Sequence, residues 1–409
     1  MTTPSHLGER LRQVRERAGL DQRDVGTSLG VAREIISYWE NNRRLPGLAQ
    51  LERLADLYGT TTAVLLNEQA ELASPHPHTL LYRGLEPQDH DLRTQLQGWL
   101  RFLDRWAELL DESGQTLPGR QTPPKAEWHS PKPITDSRRA RTLAAEVREH
   151  YHLGEDAVPD LQAFLDHAGV LVNRASLTSG ESSLSGVFSN HPRLGYRILV
   201  NADHTPGRQQ FTLAHELAHA LFHYQVPGLI CRAGDQDPKE RFADAFAGHF
   251  LVNADALRQL VADLPDGRIT DHYDVARLQP SFRVSYAMLL YRLFEEGLIT
   301  QAQYDTFKTY SPLSLARRLG LEVREYQVSV PQDLAGLGAF PPSVLEKIVE
   351  FVHDETLSPQ SAAALLGVPV ESVLQLLARP EAASPEDARE FEELPAPPTP
   401  RRAAARRAS

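Results

Sequence analysis

In the segment FTLAHELAHALFHY, residues 211–224, His215 and His219 stand four apart, so on a helix their imidazoles leave the same face one turn apart. Two such groups can grip one ion. Neutral imidazole suits Zn²⁺, with Mn²⁺ as the substitute to expect, and Glu216 is placed to act as general base on the attacking water. The later helical pattern KERFADAFAGHFLV supplies Glu240 and Asp244, again four apart. Glu240 is the expected third ligand, and Asp244 the acceptor that orients a ligating imidazole. The fourth metal position is left open for water, as a catalytic site requires. His223 continues the row of His215 and His219 and reads as a supporting or packing residue. Cys231 reads as a small buried apolar residue rather than a group that closes the fourth position. For stabilising an oxyanion, His204, Tyr196 and Tyr224 are the candidates. The competing reading is a core helix whose histidines are merely hydrogen-bonded.

These side chains need a scaffold that holds two helices together. From residue 134 the pattern runs helix (SRRARTLAAEVREHY), helix (VPDLQAFLDHAG), strand (VLVNRA), a Ser- and Gly-rich stretch, strand (GVFSN) and strand (YRILVN), then the motif helix. This is an α+β domain, bounded at 134–310, that also contains the helices KERFADAFAGHFLV and VSYAMLLYRLFEEG. Ala214, Leu217, Ala218 and Leu221 are expected to anchor the motif helix while its ligands face a cleft. Upstream, residues 71–133 hold the amphipathic helix DLRTQLQGWLRFLDRWAELLDE, whose Leu96, Trp99, Leu100, Leu103, Trp106 and Leu110 need a partner surface, and a Pro-rich stretch that reads as a linker. Downstream, 311–385 reads as a helical module. Its SPQSAAALLGVPVESVLQLL has a helix, Gly turn, helix rhythm that suits a cap on the preceding domain better than a degenerate second helix-turn-helix. Residues 386–409 read as a disordered basic tail.

Residues 1–70 alternate short helical patterns with turns: Leu7, Leu11 and Val14 fall at helical spacing, and Gly19, Gly30 and Gly59 sit at expected helix ends. A second helix from Gln22, a turn at Gly30 and a third helix from Ala32 to Glu40 have the geometry that lays one helix in a DNA major groove. Gln22, Arg33, Glu34, Ser37 and Tyr38 are the expected DNA-facing side chains, and Asn42, Arg43 and Arg44 are placed for phosphates. Val25, Leu29, Val31, Ile35 and Trp39 read as core. Nine arginines against eight acids over 7–66 leave this region only weakly positive.

The chain of 409 residues has a net charge of -11, which argues against general polyanion binding, and a single cysteine, which suits a reducing compartment. No apolar run approaches the roughly 20 residues of a membrane span, so a soluble, cytoplasmic protein without a membrane partner is expected.

The segments YRILVNADHTPGRQQFTLAHELAHALFH, KERFADAFAGHFLV and VSYAMLLYRLFEEGLI resemble the ImmA/IrrE family of metallopeptidases over roughly residues 140 to 310. The segment GLDQRDVGTSLGVAREIISYWENNRRLP resembles the helix-turn-helix of the Xre and Cro-like repressors. The first resemblance implies a minimal zincin-like fold with His215 and His219 as the motif histidines, Glu216 as base and Glu240 as third ligand. Where that family often has a Leu-Leu-Met-Pro-like end to its second motif, this chain has FLVN, which bears on the cleft wall more than on the metal. Relatives of the family cut Xre-like repressors. The expected fold is therefore multidomain: an all-α helix-turn-helix domain, an α+β metallopeptidase domain and a helical C-terminal region. The expected function is a transcriptional regulator, working as a homodimer on an operator in double-stranded DNA, whose peptidase makes a limited cut in a repressor or partner under stress or on a signal. The alternative is a non-enzymatic repressor that uses the zinc domain as a ligand sensor or dimerisation platform.

Overall fold

The computed structural model describes residues 7–17, 20–58, 60, 62–67, 89–115, 120–158, 160–179, 182–321 and 336–378. The helix ends at Gly19 and Gly59, the stretches 71–88 and 116–119 and the tail 386–409 lie outside them.

The first helices are α1 (Leu7–Arg17), α2 (Gln22–Leu29), α3 (Arg33–Glu40), α4 (Leu48–Tyr58) and α5 (Thr62–Leu66). They close on a core of their own that includes Leu11, Val25, Ile36, Trp39, Leu54 and Leu65. The chain turns from α2 to α3 through Gly30 at φ 69°, a left-handed conformation that glycine adopts without a Cβ clash. Gly26 lets the turn pack tightly, since a Cβ there would stand 2.8 Å from the Val31 carbonyl. A buried ion pair joins α1 to the end of α3: Arg15 Nε donates to Glu40 Oε1 at 2.6 Å, and Nη1 to the Leu20 carbonyl at 2.7 Å. With its charge paired and each of its three nitrogens donating, Arg15 can stay inside.

Next come α6 (His90–Ser113), α7 (Ala140–His150) and α8 (Leu161–His167), then strands β1 (Leu171–Ala175), β2 (Thr178–Ser179), β3 (Ser182–Ser183), β4 (Gly186–His191) and β5 (Gly195–Asn201). The motif helix α9 (Pro206–Phe222) and strand β6 (Gly228–Cys231) lead to α10 (Pro238–Leu251). Helices α11 (Ala254–Ala262), α12 (His272–Phe282), α13 (Tyr286–Glu295), α14 (Gln301–Phe307) and α15 (Pro312–Leu319) complete this part. The last helices are α16 (Pro342–His353), α17 (Pro359–Leu366) and α18 (Val370–Leu377).

The main sheet has strand order β1-β5-β4-β6, with β1 parallel to β5 and the other pairs antiparallel. Its strands are apolar at consecutive positions because both faces are covered. Val172, Phe188, Ile198 and Val200 face the core that α7, α9, α10 and α13 also fill. Leu171, Val187 and Leu199 face a second core made with α6, α16 and α17. The apolar stripe of α6 thus finds its partner in the back of the sheet. Asn173 of β1 ties both covering pieces down, accepting from Trp99 Nε1 at 3.1 Å and donating to the Ala339 carbonyl at 3.3 Å.

Residues 120–133, read from their prolines as part of a linker, lie with Ile134 against the α+β domain. Tyr196 N donates to the Arg120 carbonyl at 2.7 Å, Ile134 N to the Phe222 carbonyl at 3.2 Å, and Trp128 is buried against Phe222. Proline density marks only a backbone without regular hydrogen bonds; one buried tryptophan is enough to dock it. Among the described residues no single helix is long and apolar enough to cross a membrane.

The second core rests on the packing of Trp106 against Phe351, with ring centroids 5.9 Å apart. Phe351→Ala should lower stability by about 3–5 kcal/mol. Urea unfolding with limited proteolysis checks this; an unchanged midpoint and an unchanged cleavage pattern would show that the C-terminal helices are not held as described.

Candidate metal centre and helix-turn-helix surface

Helix α9 follows Thr205 as its N-cap and has Pro206 in its first turn, where the missing N–H costs nothing. Ala214, Leu217, Ala218 and Leu221 bury its back against the sheet and α10. Helix α10 is capped by Asp237, whose carboxylate accepts from Lys239 N, so Glu240 lies in its first turn facing α9. The side chains paired from sequence meet here. His215 Nε2 lies 3.0 Å from His219 Nε2 and 3.1 Å from Glu240 Oε2, and His219 Nε2 lies 3.4 Å from Glu240 Oε1.

The outer nitrogens set the tautomers. His223 Nε2 donates to the Ile134 carbonyl at 2.6 Å, which leaves its Nδ1 as acceptor for His219 Nδ1–H at 2.7 Å. His219 Nε2 then carries its lone pair inward. His215 Nδ1 donates to Asp244 Oδ1 at 2.9 Å, freeing its Nε2 in the same way. Each histidine so oriented is preorganised as a ligand, the arrangement expected when a second residue fixes the ring. Donors about 2.0–2.1 Å from a tetrahedral zinc stand roughly 3.3 Å apart, so these spacings fit Zn²⁺. The site also attracts positive charge: burial disfavours a charged His215, but its hydrogen bonds to Asp244 and Glu240 outweigh that and raise its pKa. Burial opposes the charge on Glu240 as well, and its hydrogen bonds to His215 and His219 overcome it, holding the carboxyl below its ordinary range.

Glu216 is fully buried, and neither of its oxygens has a nitrogen or oxygen hydrogen-bond partner. Burial pushes its pKa up to about 8. Room for it is made by Gly186 of β4, where a Cβ would stand 2.5 Å from Glu216 Oε1. Neither Gly186 nor the Ile134 carbonyl is marked by any local pattern, because both act across the fold. Cys231 is buried as its residue type suggests, yet its sulfur joins the cluster: the donor atoms of His215, His219, Cys231 and Glu240 all lie within 4.8 Å of one another. A cavity of 290 Å³ opens beside His215 and Cys231, walled by Arg208, Phe211, Thr212 and Asp244.

Of the oxyanion candidates, Tyr196 is buried in the core against Phe188, and the Tyr224 hydroxyl donates to the Ser130 carbonyl at 3.5 Å. His204 lies 3.2 Å from the Ser183 hydroxyl, and burial, aided by Arg208, lowers its pKa to about 4. It is a neutral imidazole at pH 7.

In the N-terminal domain Arg33, Glu34, Tyr38, Arg43 and Arg44 are exposed, and Ser37 is half-buried. Gln22 is turned to internal use, donating to Glu40 Oε2 at 2.9 Å. Asn42, at φ 55°, accepts from Gly8 N at 2.9 Å and so ties the end of α3 to α1. Ile36 fills the core where Ile35 only packs against it. The burial of Glu40 has no sequence signal of its own, since its partner lies 25 residues away.

Residues 165–294 match a peptidase-family model described as the IrrE N-terminal-like domain, and residues 6–68 match a helix-turn-helix domain model. A similar protein is the HTH-type transcriptional regulator ImmR of Bacillus subtilis (strain 168), 27% identical over 89 residues that cover 22% of this chain and 69% of that protein. The chain carries a helix-turn-helix domain followed by an IrrE-like domain, and all four clustered donors fall inside the latter.

The tautomer argument has a direct consequence. His223→Ala or Asp244→Ala should weaken zinc binding by roughly 10–100-fold with the fold intact. Competition with a chromophoric chelator, beside circular dichroism, checks this; wild-type affinity in both variants would refute the supporting roles.

Proposed function

We propose that this chain is a DNA-binding transcriptional regulator whose zinc peptidase domain makes a limited cut in a repressor or partner protein in response to a signal. The observation that supports hydrolysis is Glu216: a carboxyl group buried beside a cluster of metal donors, with no nitrogen or oxygen partner for its oxygens, is costly to keep there on structural grounds alone. Such a cost is characteristic of functional sites.

His215, His219 and Glu240 would hold Zn²⁺, which when bound supplies Lewis acidity toward a peptide carbonyl and toward water. A cation held beside Glu216 would offset the burial that raises its pKa, and Glu216, as the carboxylate, takes a proton from the attacking water as its oxygen adds to the carbonyl carbon. The same carboxyl returns that proton to the departing amine as the C–N bond breaks. His223 and Asp244 keep the imidazoles in the tautomers that leave Nε2 free. His204, neutral and close to the β2–β3 hairpin, is the remaining candidate for the oxyanion.

The substrate class follows from the fusion. Linking a peptidase to a DNA-binding domain raises its local concentration near other proteins on the same operator without any new contact. A cleft of this size admits an extended segment, which favours a mobile loop or linker over ordered backbone. An Xre-like repressor fits this reading, and a cytoplasmic location follows from it. On the DNA side, Arg33, Glu34, Ser37 and Tyr38 of α3 are the base-reading candidates. Arg43 and Arg44 are the phosphate contacts, with Gln22 and Asn42 acting through the shape of the domain. Repressor-like geometry favours a homodimer on half-sites about one helical turn apart.

Two outcomes test the halves separately. Glu216→Gln should keep its zinc but lose roughly 10²–10⁴-fold in cleavage of candidate repressors, read by mass spectrometry of the fragments. Full cleavage by that variant would remove Glu216 from the reaction. Arg43→Ala with Arg44→Ala should weaken binding to every DNA sequence alike and reduce the slope of log K against log salt by roughly 2. A slope equal to the wild type's would mean that neither arginine neutralises a phosphate.

A further inference from the structure

We infer that Cys231 is a fourth metal donor, so that the resting centre is closed by a thiolate and the position needed by water opens only when that sulfur leaves. The inference rests on the reading of His215, His219 and Glu240 as metal ligands given above. Its basis is placement. Cys231 is the last residue of β6, and the sheet fixes its backbone: Cys231 pairs in register with Gly186, and its carbonyl accepts from Ser185 N at 2.9 Å. Gly186 is also the residue over which Glu216 lies, so sulfur and base converge on one spot. The thiol interacts with both Glu216 and Glu240.

A tetrahedral site of two imidazoles, one carboxylate and one thiolate, with metal–sulfur at about 2.3 Å, has sulfur-to-nitrogen edges of roughly 3.6 Å. Four donors within 4.8 Å of one another can close to that geometry by small rotations of side chains. The second observation is Glu216 itself, wholly buried, with no nitrogen or oxygen partner for either carboxyl oxygen and directed at the same space as the Cys231 thiol. A carboxylate left unsatisfied there points to a group beyond those described. On coordination the S–H bond breaks, the metal–sulfur bond forms and the proton passes to solvent. Structural zinc sites are closed in this way, whereas catalytic ones keep a position open. Here a single side chain decides between the two.

The test uses the full chain loaded with Co²⁺. Because Cys231 is the only cysteine among the 409 residues, any thiolate-to-cobalt charge-transfer absorption must come from it. The expected result is that band in the wild type and its loss in Cys231→Ser, with cobalt still bound at one per chain. On zinc, Cys231→Ser should hydrolyse substrate faster than the wild type. One bound cobalt without the band, or a band that survives the substitution, overturns the assignment. Equal rates of hydrolysis overturn the latch. Failure of the wild type to bind cobalt at all would instead overturn the metal centre itself, so the two readings fail distinguishably, and the wild-type spectrum decides even if the variant does not fold.

Discussion

Two imidazole lone pairs held 3.0 Å apart in a buried site repel each other unless a cation or a proton lies between them. Much of the α+β domain maintains this arrangement. The packing of α9 on α10 brings Glu240 to the pair, the relay from the Ile134 carbonyl through His223 orients His219, and Asp244 orients His215. Aromatic packing makes the helix pair rigid: Phe222 meets Phe242 and Phe246 with centroids 5.5 and 5.4 Å away. Glu216 adds a desolvated carboxylate to the same volume. A fold that keeps so many polar groups inside must gain elsewhere, and the gain is apolar burial on both faces of a small sheet.

That two-sided burial makes the regions around the site interdependent. The back of the sheet is covered by α6, which precedes the IrrE-like segment, and by α16 and α17, which follow it. Asn173 serves both coverings from a single strand position. The segment 120–134 completes the front, since Ile134 supplies both a backbone hydrogen bond to the end of α9 and the carbonyl that fixes His223. The motif helix α9 is thus braced by a stretch that precedes it by some seventy residues.

What could be read from sequence follows the range of the interaction. The spacing of His215 and His219, and of Glu240 and Asp244, is a local helical property, and the structure brings all four together. The apolar stripe of α6 and the covered strands were also visible as patterns, down to the need for a partner surface. Residues acting across the fold were not: Gly186, the Ile134 carbonyl and the Arg15–Glu40 pair carry no periodicity. Gln22 and Asn42 show the reverse. Their position beside α3 suggests DNA, while their hydrogen bonds serve the domain interior. The burial of Cys231 is legible from its residue type, but burial alone does not say what the sulfur touches.

The central claim is a metal centre built from the Nε2 atoms of His215 and His219 and a carboxylate of Glu240. X-ray absorption at the zinc edge, on the zinc-loaded full chain, tests it most directly. The account predicts one zinc per chain, with light-atom ligands at about 2.0–2.1 Å and outer-shell scattering from two imidazole rings that disappears in the His215→Ala, His219→Ala double variant. Zinc that gives the same spectrum in that variant, or shows no imidazole scattering in the wild type, would contradict it.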